Sequence, residues 1–297
     1  MSRTRALEVE TLDATFGAVV RGLALVDLDD ETFREIYGLW LEYALLIFPD
    51  QHLNHAEQVA FARRFGDLEF DLAPLSNVRS DGSLRPESGD DGVVHILKGN
   101  MGWHADSTYM PVQAKGAVFT AHRVPTAGGE TGWADMCAAY DALDEGTRER
   151  ISDLSAYHSL VYSQAKLGHG PEASANSPAP APRDDYNGYG FEGHAPPLRP
   201  LVKIHPETGR PTLTVGRHAY GIPGLAPAES ERLLADLVEG ACRSPRIYHH
   251  RWAPGDAVVW DNRCLLHRAR PWDMSEARVM YHSRIAGDAA SESAPSG

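Results

Sequence analysis

The chain has 297 residues, of which 42% are hydrophobic and 23% charged, and a formal net charge of -13. That length can bury a substantial core as one large domain over residues 1–297, and the acidic balance argues against a nucleic-acid partner, which needs clustered Lys and Arg. Three cysteines at unrelated spacings, Cys137, Cys242 and Cys264, offer neither a disulfide framework nor a zinc ribbon. No run is long and apolar enough to span a bilayer and the first residues lack a signal core, so a cytoplasmic protein with no membrane partner is expected.

Residues 7–28 alternate apolar and polar positions around Gly17 and Gly22, the pattern of short strands. Asp29 and Asp30 can cap a helix whose apolar side chains fall at Phe33, Ile36, Tyr37, Trp40 and Leu41. A buried strand over 44–48 follows, stopped by Pro49, and then a helix from Asn54 to Gly66. Residues 77–92 are too polar to pack and read as a loop leading into an extended segment. Strands are expected near 117–122, 201–204, 212–215, 246–252, 257–260 and 278–285, with helix and connection over 135–154 and helix over 228–241. The Pro/Ala/Ser-rich stretch 170–187 reads as a flexible lid or insert loop, and the small polar tail 287–297 is expected to fray. Many short strands covered by helices give an α+β chain built on a sandwich or jelly roll.

Chemistry concentrates first in Trp103-His104-Ala105-Asp106. In an extended segment His104 and Asp106 point to one face, because strand side chains alternate. An imidazole and a carboxylate converging on one point are two of the three ligands of a mononuclear non-haem iron site. In a chain with 14 histidines the tripeptide also fits a capped turn or a surface pair. The companion signal is the strand-and-turn stretch ending at His267, followed by Arg278, which opens a strand. Arg278, Met280, His282 and Arg284 share one face of that strand. Polar groups on an inward face are costly unless they meet a ligand or each other. The adjacent His249 and His250 point to opposite faces of a strand and read as surface.

Four stretches occur in a recognisable order: Trp103-His104-Ala105-Asp106, Gly128-Gly129-Glu130-Thr131, Trp260 through Leu265-Leu266-His267, and Arg278. In them the chain resembles the TauD/TfdA family of iron(II)- and 2-oxoglutarate-dependent dioxygenases, from about residue 7 to residue 287. Within the family it is most similar to the aryloxyalkanoate dioxygenases that act on (S)-2-phenoxypropionate, through 103–110, 135–145, 158–164 and the run from Arg278 to Arg284. The resemblance implies a double-stranded β-helix (jelly roll) core with flanking helices. It implies His104, Asp106 and His267 as iron ligands and the catalytic centre. Thr131 and Arg278 would bind the distal carboxylate of the cosubstrate 2-oxoglutarate, with Trp260 lining its pocket. Fe(II), 2-oxoglutarate and O2 would together oxidise the carbon next to the ether oxygen. The products would be a phenol, pyruvate or glyoxylate, succinate and CO2.

One position departs from the taurine-type members, which carry an Arg four residues after the cofactor Arg. Here that residue is His282, and a neutral His is a poorer sulfonate anchor. Candidates for the substrate's acidic group are therefore His282, Arg217, His218 and Arg284, with Asn100 at a substrate-side position. The expected partner is a small-molecule carboxylate, with the chain working as a homo-oligomer. The same chemistry on an alkyl sulfate, a sulfonate or an amino-acid derivative stays open. So do a zinc hydrolase, since His and Asp also bind zinc, and a non-catalytic jelly-roll binding protein.

Overall fold

The computed structural model describes residues 7–87, 91–168 and 195–295. Its strands, in chain order, are β1 (Glu8–Thr11), β2 (Ala18–Arg21), β3 (Leu45–Phe48), β4 (Leu68–Ser76), β5 (Gly116–Arg123), β6 (Thr131–Asp135), β7 (Ser155–His158) and β8 (Leu198–Pro200). They continue with β9 (Val202–Ile204), β10 (Pro211–Leu213), β11 (Ala219–Tyr220), β12 (Ile247–His250), β13 (Ala257–Asp261), β14 (Leu265–Ala269) and β15 (Val279–Ile285). A seven-stranded sheet runs β1-β2-β3-β13-β5-β15-β4, antiparallel except between β2 and β3. A three-stranded antiparallel sheet runs β12-β6-β14.

The central strands of the large sheet are buried on both faces, which is why β3 and β13 read as unbroken apolar runs. One face is covered by the helices Asp30–Tyr43 and His55–Arg63, through Ile36, Trp40 and Phe61 against Leu46, Val118 and Val259. The other face meets the small sheet: Phe119, Trp260 and Met280 pack with Trp133 and Leu265. Helix Pro227–Ala241 seals the far side of the small sheet, with Leu233, Leu234 and Leu237 against Ala134 and Leu266. The layers are thus helix, sheet, sheet, helix, and the site lies between the sheets.

Local signals account for the helix ends. Asp29 accepts from the Thr32 N–H, and Asn54 and Glu57 form a reciprocal capping box. Two expectations are corrected. Residues 77–92 do not lead into a strand: Asp91 caps a helix, Gly92–Gly99, whose Val94 and Leu97 pack on Trp272 and Met274. Asn77 in that stretch is fully buried. The tail does not fray at residue 287 either. Ala289–Glu292 is a short helix, and the buried Glu292 is tied down by Lys203. Segment 170–187 lies outside the described residues. Among the described residues, no helix is long and apolar enough to cross a membrane.

Candidate active site

His104 does not sit on a strand. A single antiparallel bridge joins it to His267 of β14, with N–H to carbonyl bonds of 3.0 and 2.7 Å in the two directions, and the chain then turns. That bridge, rather than strand alternation, sets the two imidazoles side by side, their ring centroids 4.2 Å apart. His104 Nδ1 donates to the Gly102 carbonyl at 2.8 Å. This fixes the tautomer and turns the Nε2 lone pair towards Asp106, whose Oδ1 is 4.0 Å away. His267 Nε2 lies 3.7 Å from Asp106 Oδ2. Ligand atoms of His104, Asp106 and His267 fall within 4.8 Å of one another, and all three residues are buried.

Burial holds the His104 ring well below the usual imidazole range and takes His267 down to about 3, so both are neutral at pH 7. Burial alone would raise the Asp106 carboxyl, but the Arg284 guanidinium beside it outweighs that and keeps it ionised. Two neutral nitrogens and one carboxylate, with Asp106 Oδ2 lacking a hydrogen bond among the described residues, suit a divalent metal ion. Asn262 frames the ligand: its Oδ1 accepts from the Asp106 N–H at 2.8 Å, and its Nδ2 donates to the Asp106 and Ala114 carbonyls.

Beside the three ligands the cavity runs between the sheets, walled by Asn100, Phe119, Thr131, Trp260, Arg278 and His282. Arg278 is 2% exposed. Its Nε donates to the Gly129 carbonyl at 3.1 Å, its backbone N–H to Asn77 Oδ1 at 2.8 Å, and its Nη2 has no partner among the described residues. Burial lowers it to about 10, so it stays charged at pH 7. A buried cation with an unused donor calls for an anion from the ligand. Gly129 has a φ of +69°, which favours glycine, and a Cβ there would come 2.9 Å from Pro125 Cγ and 3.2 Å from Arg278 Cδ, so a side chain would crowd the arginine. Thr131 Oγ1 accepts from Trp252 Nε1 at 3.0 Å, which leaves its own hydrogen to give.

The five substrate-side candidates separate in space. Asn100 and His282 line the cavity; His282 Nε2 is 3.5 Å from Asp106 Oδ2, its ring stacks on Trp260, and burial takes it to about 3, so it is neutral. Arg217 and His218 lie behind His104. Arg217 is bonded to Gln164 and borders a second, outer cavity, and His218 is bonded to Ser163 Oγ. Arg284 is engaged with Asp106. His250, read as surface, is buried because Asp256 accepts from it at 2.9 Å. Sequence reading missed Asn77, Asn262 and Glu69. Only Asn262 carried a signal, as a polar residue in the turn between two apolar strands.

A profile described as "Taurine catabolism dioxygenase TauD, TfdA family" matches residues 8–284, and the chain belongs to that family of dioxygenases. It is similar to the (S)-phenoxypropionate/alpha-ketoglutarate-dioxygenase of Sphingobium herbicidovorans, at 64% identity over 289 residues, covering 97% of this chain and 98% of that protein. The protein of the same name from Delftia acidovorans is 54% identical over 294 residues, with 97% and 98% covered. The crystal structure of AAD-2 in complex with Mn(II) and N-oxalylglycine matches the fold with a TM-score of 0.85 at 34% identity, covering 98% of this chain and 100% of that one.

Proposed function

We propose that the chain is an Fe(II)- and 2-oxoglutarate-dependent dioxygenase that hydroxylates the carbon next to the ether oxygen of an aryloxyalkanoate such as (S)-2-phenoxypropionate. The observation that carries the reading is the three buried ligand atoms within 4.8 Å beside a cavity that holds Arg278. The facing antiparallel sheets are read as a double-stranded β-helix, and the chain as a homo-oligomer.

His104, Asp106 and His267 would hold the iron, which when bound supplies activation of O2 at the expense of 2-oxoglutarate. The chain's own residues do the positioning. Arg278 offers its guanidinium to the distal carboxylate of 2-oxoglutarate, with parallel hydrogen bonds that a lysine could not match. The Thr131 hydroxyl donates to the same group, and Trp260 walls its pocket. Asn100 and the neutral His282 hold the substrate acid by donating hydrogen bonds. Packing between the sheets keeps water from the reacting carbon. Hydroxylation there gives a hemiketal, which collapses to a phenol and pyruvate, or glyoxylate from an acetate side chain. One 2-oxoglutarate and one O2 become succinate, CO2 and the inserted oxygen.

The test is incubation of the iron-loaded protein with 2-oxoglutarate and each enantiomer of a phenoxypropionate, following phenol and succinate. Equal amounts of both from the S enantiomer are expected. Succinate with no phenol from either enantiomer would sink the substrate; no succinate with metal bound would sink the class.

A further inference from the structure

β15, which follows Arg278, carries a second buried arginine, Arg284. Arg284 is 0% exposed. Its Nη2 donates to Asp106 Oδ1 at 2.9 Å and its Nη1 to Ser107 Oγ at 3.2 Å, and its guanidinium lies over the Phe70 ring. Ser107 Oγ in turn donates to Glu69 Oε2 at 2.9 Å. Ser107 holds a φ of +57°, a conformation that L residues other than Asn and Asp rarely adopt, and its hydroxyl meets the guanidinium. Asn262 clamps the Asp106 backbone from the other side.

The two carboxylate oxygens of Asp106 are thereby made unequal. One is held by Arg284, and the other faces His267 with no hydrogen bond among the described residues. We propose that Arg284, braced by Ser107 and Glu69, is a positioning residue that presents Asp106 to the metal through Oδ2 alone. This rests on the reading of His104, Asp106 and His267 as metal ligands. A carboxylate held by one oxygen covers one metal position instead of two, and that spares a position for the cosubstrate.

Co(II) is the probe, because its visible bands report how many ligands surround it. Arg284→Met should weaken Co(II) binding to the apo-protein by about 10- to 100-fold, the usual cost of losing a group that orients a metal ligand, and should change the bands. A double-mutant cycle separates positioning from general structure: in an Asp106→Ala background, adding Arg284→Met should cause no further loss. Wild-type affinity and bands in Arg284→Met, or the same loss with and without Asp106, would overturn the proposal. If Arg284→Met does not fold, Ser107→Ala keeps the arginine, and a smaller loss that again vanishes without Asp106 is expected; a Ser107→Ala protein that binds Co(II) like wild type overturns it. Asp106→Ala alone binding like wild type overturns the ligand reading itself, a failure visible without touching Arg284.

Discussion

Two buried aspartates among the described residues each meet a histidine and an arginine, and they differ in how far their oxygens are used. Asp106 keeps Oδ2 without a hydrogen bond, beside two imidazoles and a cavity. Asp261 sits with His205 and Cys264 in a group equally able, by distance, to gather round an ion. There, however, Arg263 donates to both carboxylate oxygens at 2.8 and 2.6 Å, and His205 reaches Oδ2 at 3.0 Å. Glu207 pairs with the far side of Arg263. Asp261 is closed with protein donors, and a metal ion would have to displace a guanidinium. Proximity of ligand types does not make a metal site; a lone pair left over does.

The comparison breaks first at Asp106. Asp106→Ala should abolish succinate formation coupled to substrate, read by product analysis, whereas Asp261→Asn should leave metal content unchanged. The second expectation is the reverse in stability. Asp261→Asn leaves Arg263 paired with Glu207 and should cost about 3 kcal/mol, the lower end of the loss on breaking a buried pair, seen as an earlier denaturant midpoint. A wild-type midpoint would remove the structural role given to that cluster. Third, Arg278→Lys should raise the KM for 2-oxoglutarate by about 10- to 100-fold, the loss of a charged hydrogen bond worth about 1.5–3 kcal/mol. An unchanged KM would move the carboxylate elsewhere.

The smallest effect is in pH. Burial alone would raise Asp261, but Arg263 and His205 outweigh it and hold it below the ordinary 3.8. As pH falls, the unfolded chain takes up that proton before the folded one. The cluster's stabilisation is therefore complete above about pH 4 and is lost as pH drops below it. Acid-unfolding curves of wild type and Asp261→Asn should converge in that range. If they stay parallel, Asp261 is not held as described.

What the sequence disclosed follows the range of the interactions. The helix starts at Asp29 and Asn54 are written within four residues, so they could be read directly. Arg278, Met280, His282 and Arg284 were placed together by alternation, and all four are buried. Alternation could not separate their tasks, because Arg284 differs from His282 only through Ser107 and Glu69, which are far away in the chain. His104 and Asp106 were set together by alternation, whereas the structure joins them through a bridge to His267 of β14 and a turn, outside any strand of their own. The helix after Asp91 was hidden by the polar run before it. Its apolar face became meaningful only against Trp272 and Met274, more than 170 residues on.

Asn77 carries a last consequence. Its Oδ1 accepts from the Arg278 N–H, while its Nδ2 donates to the carbonyls of Met274 at 3.0 Å and Glu276 at 2.8 Å. One side-chain amide thus pins the approach to β15 against the end of β4. An aspartate here would match the amide in shape, yet replace two donors with lone pairs aimed at two carbonyls. Asn77→Asp should therefore weaken the grip on the keto acid and the fold together, read as a raised KM for 2-oxoglutarate and an earlier denaturant midpoint.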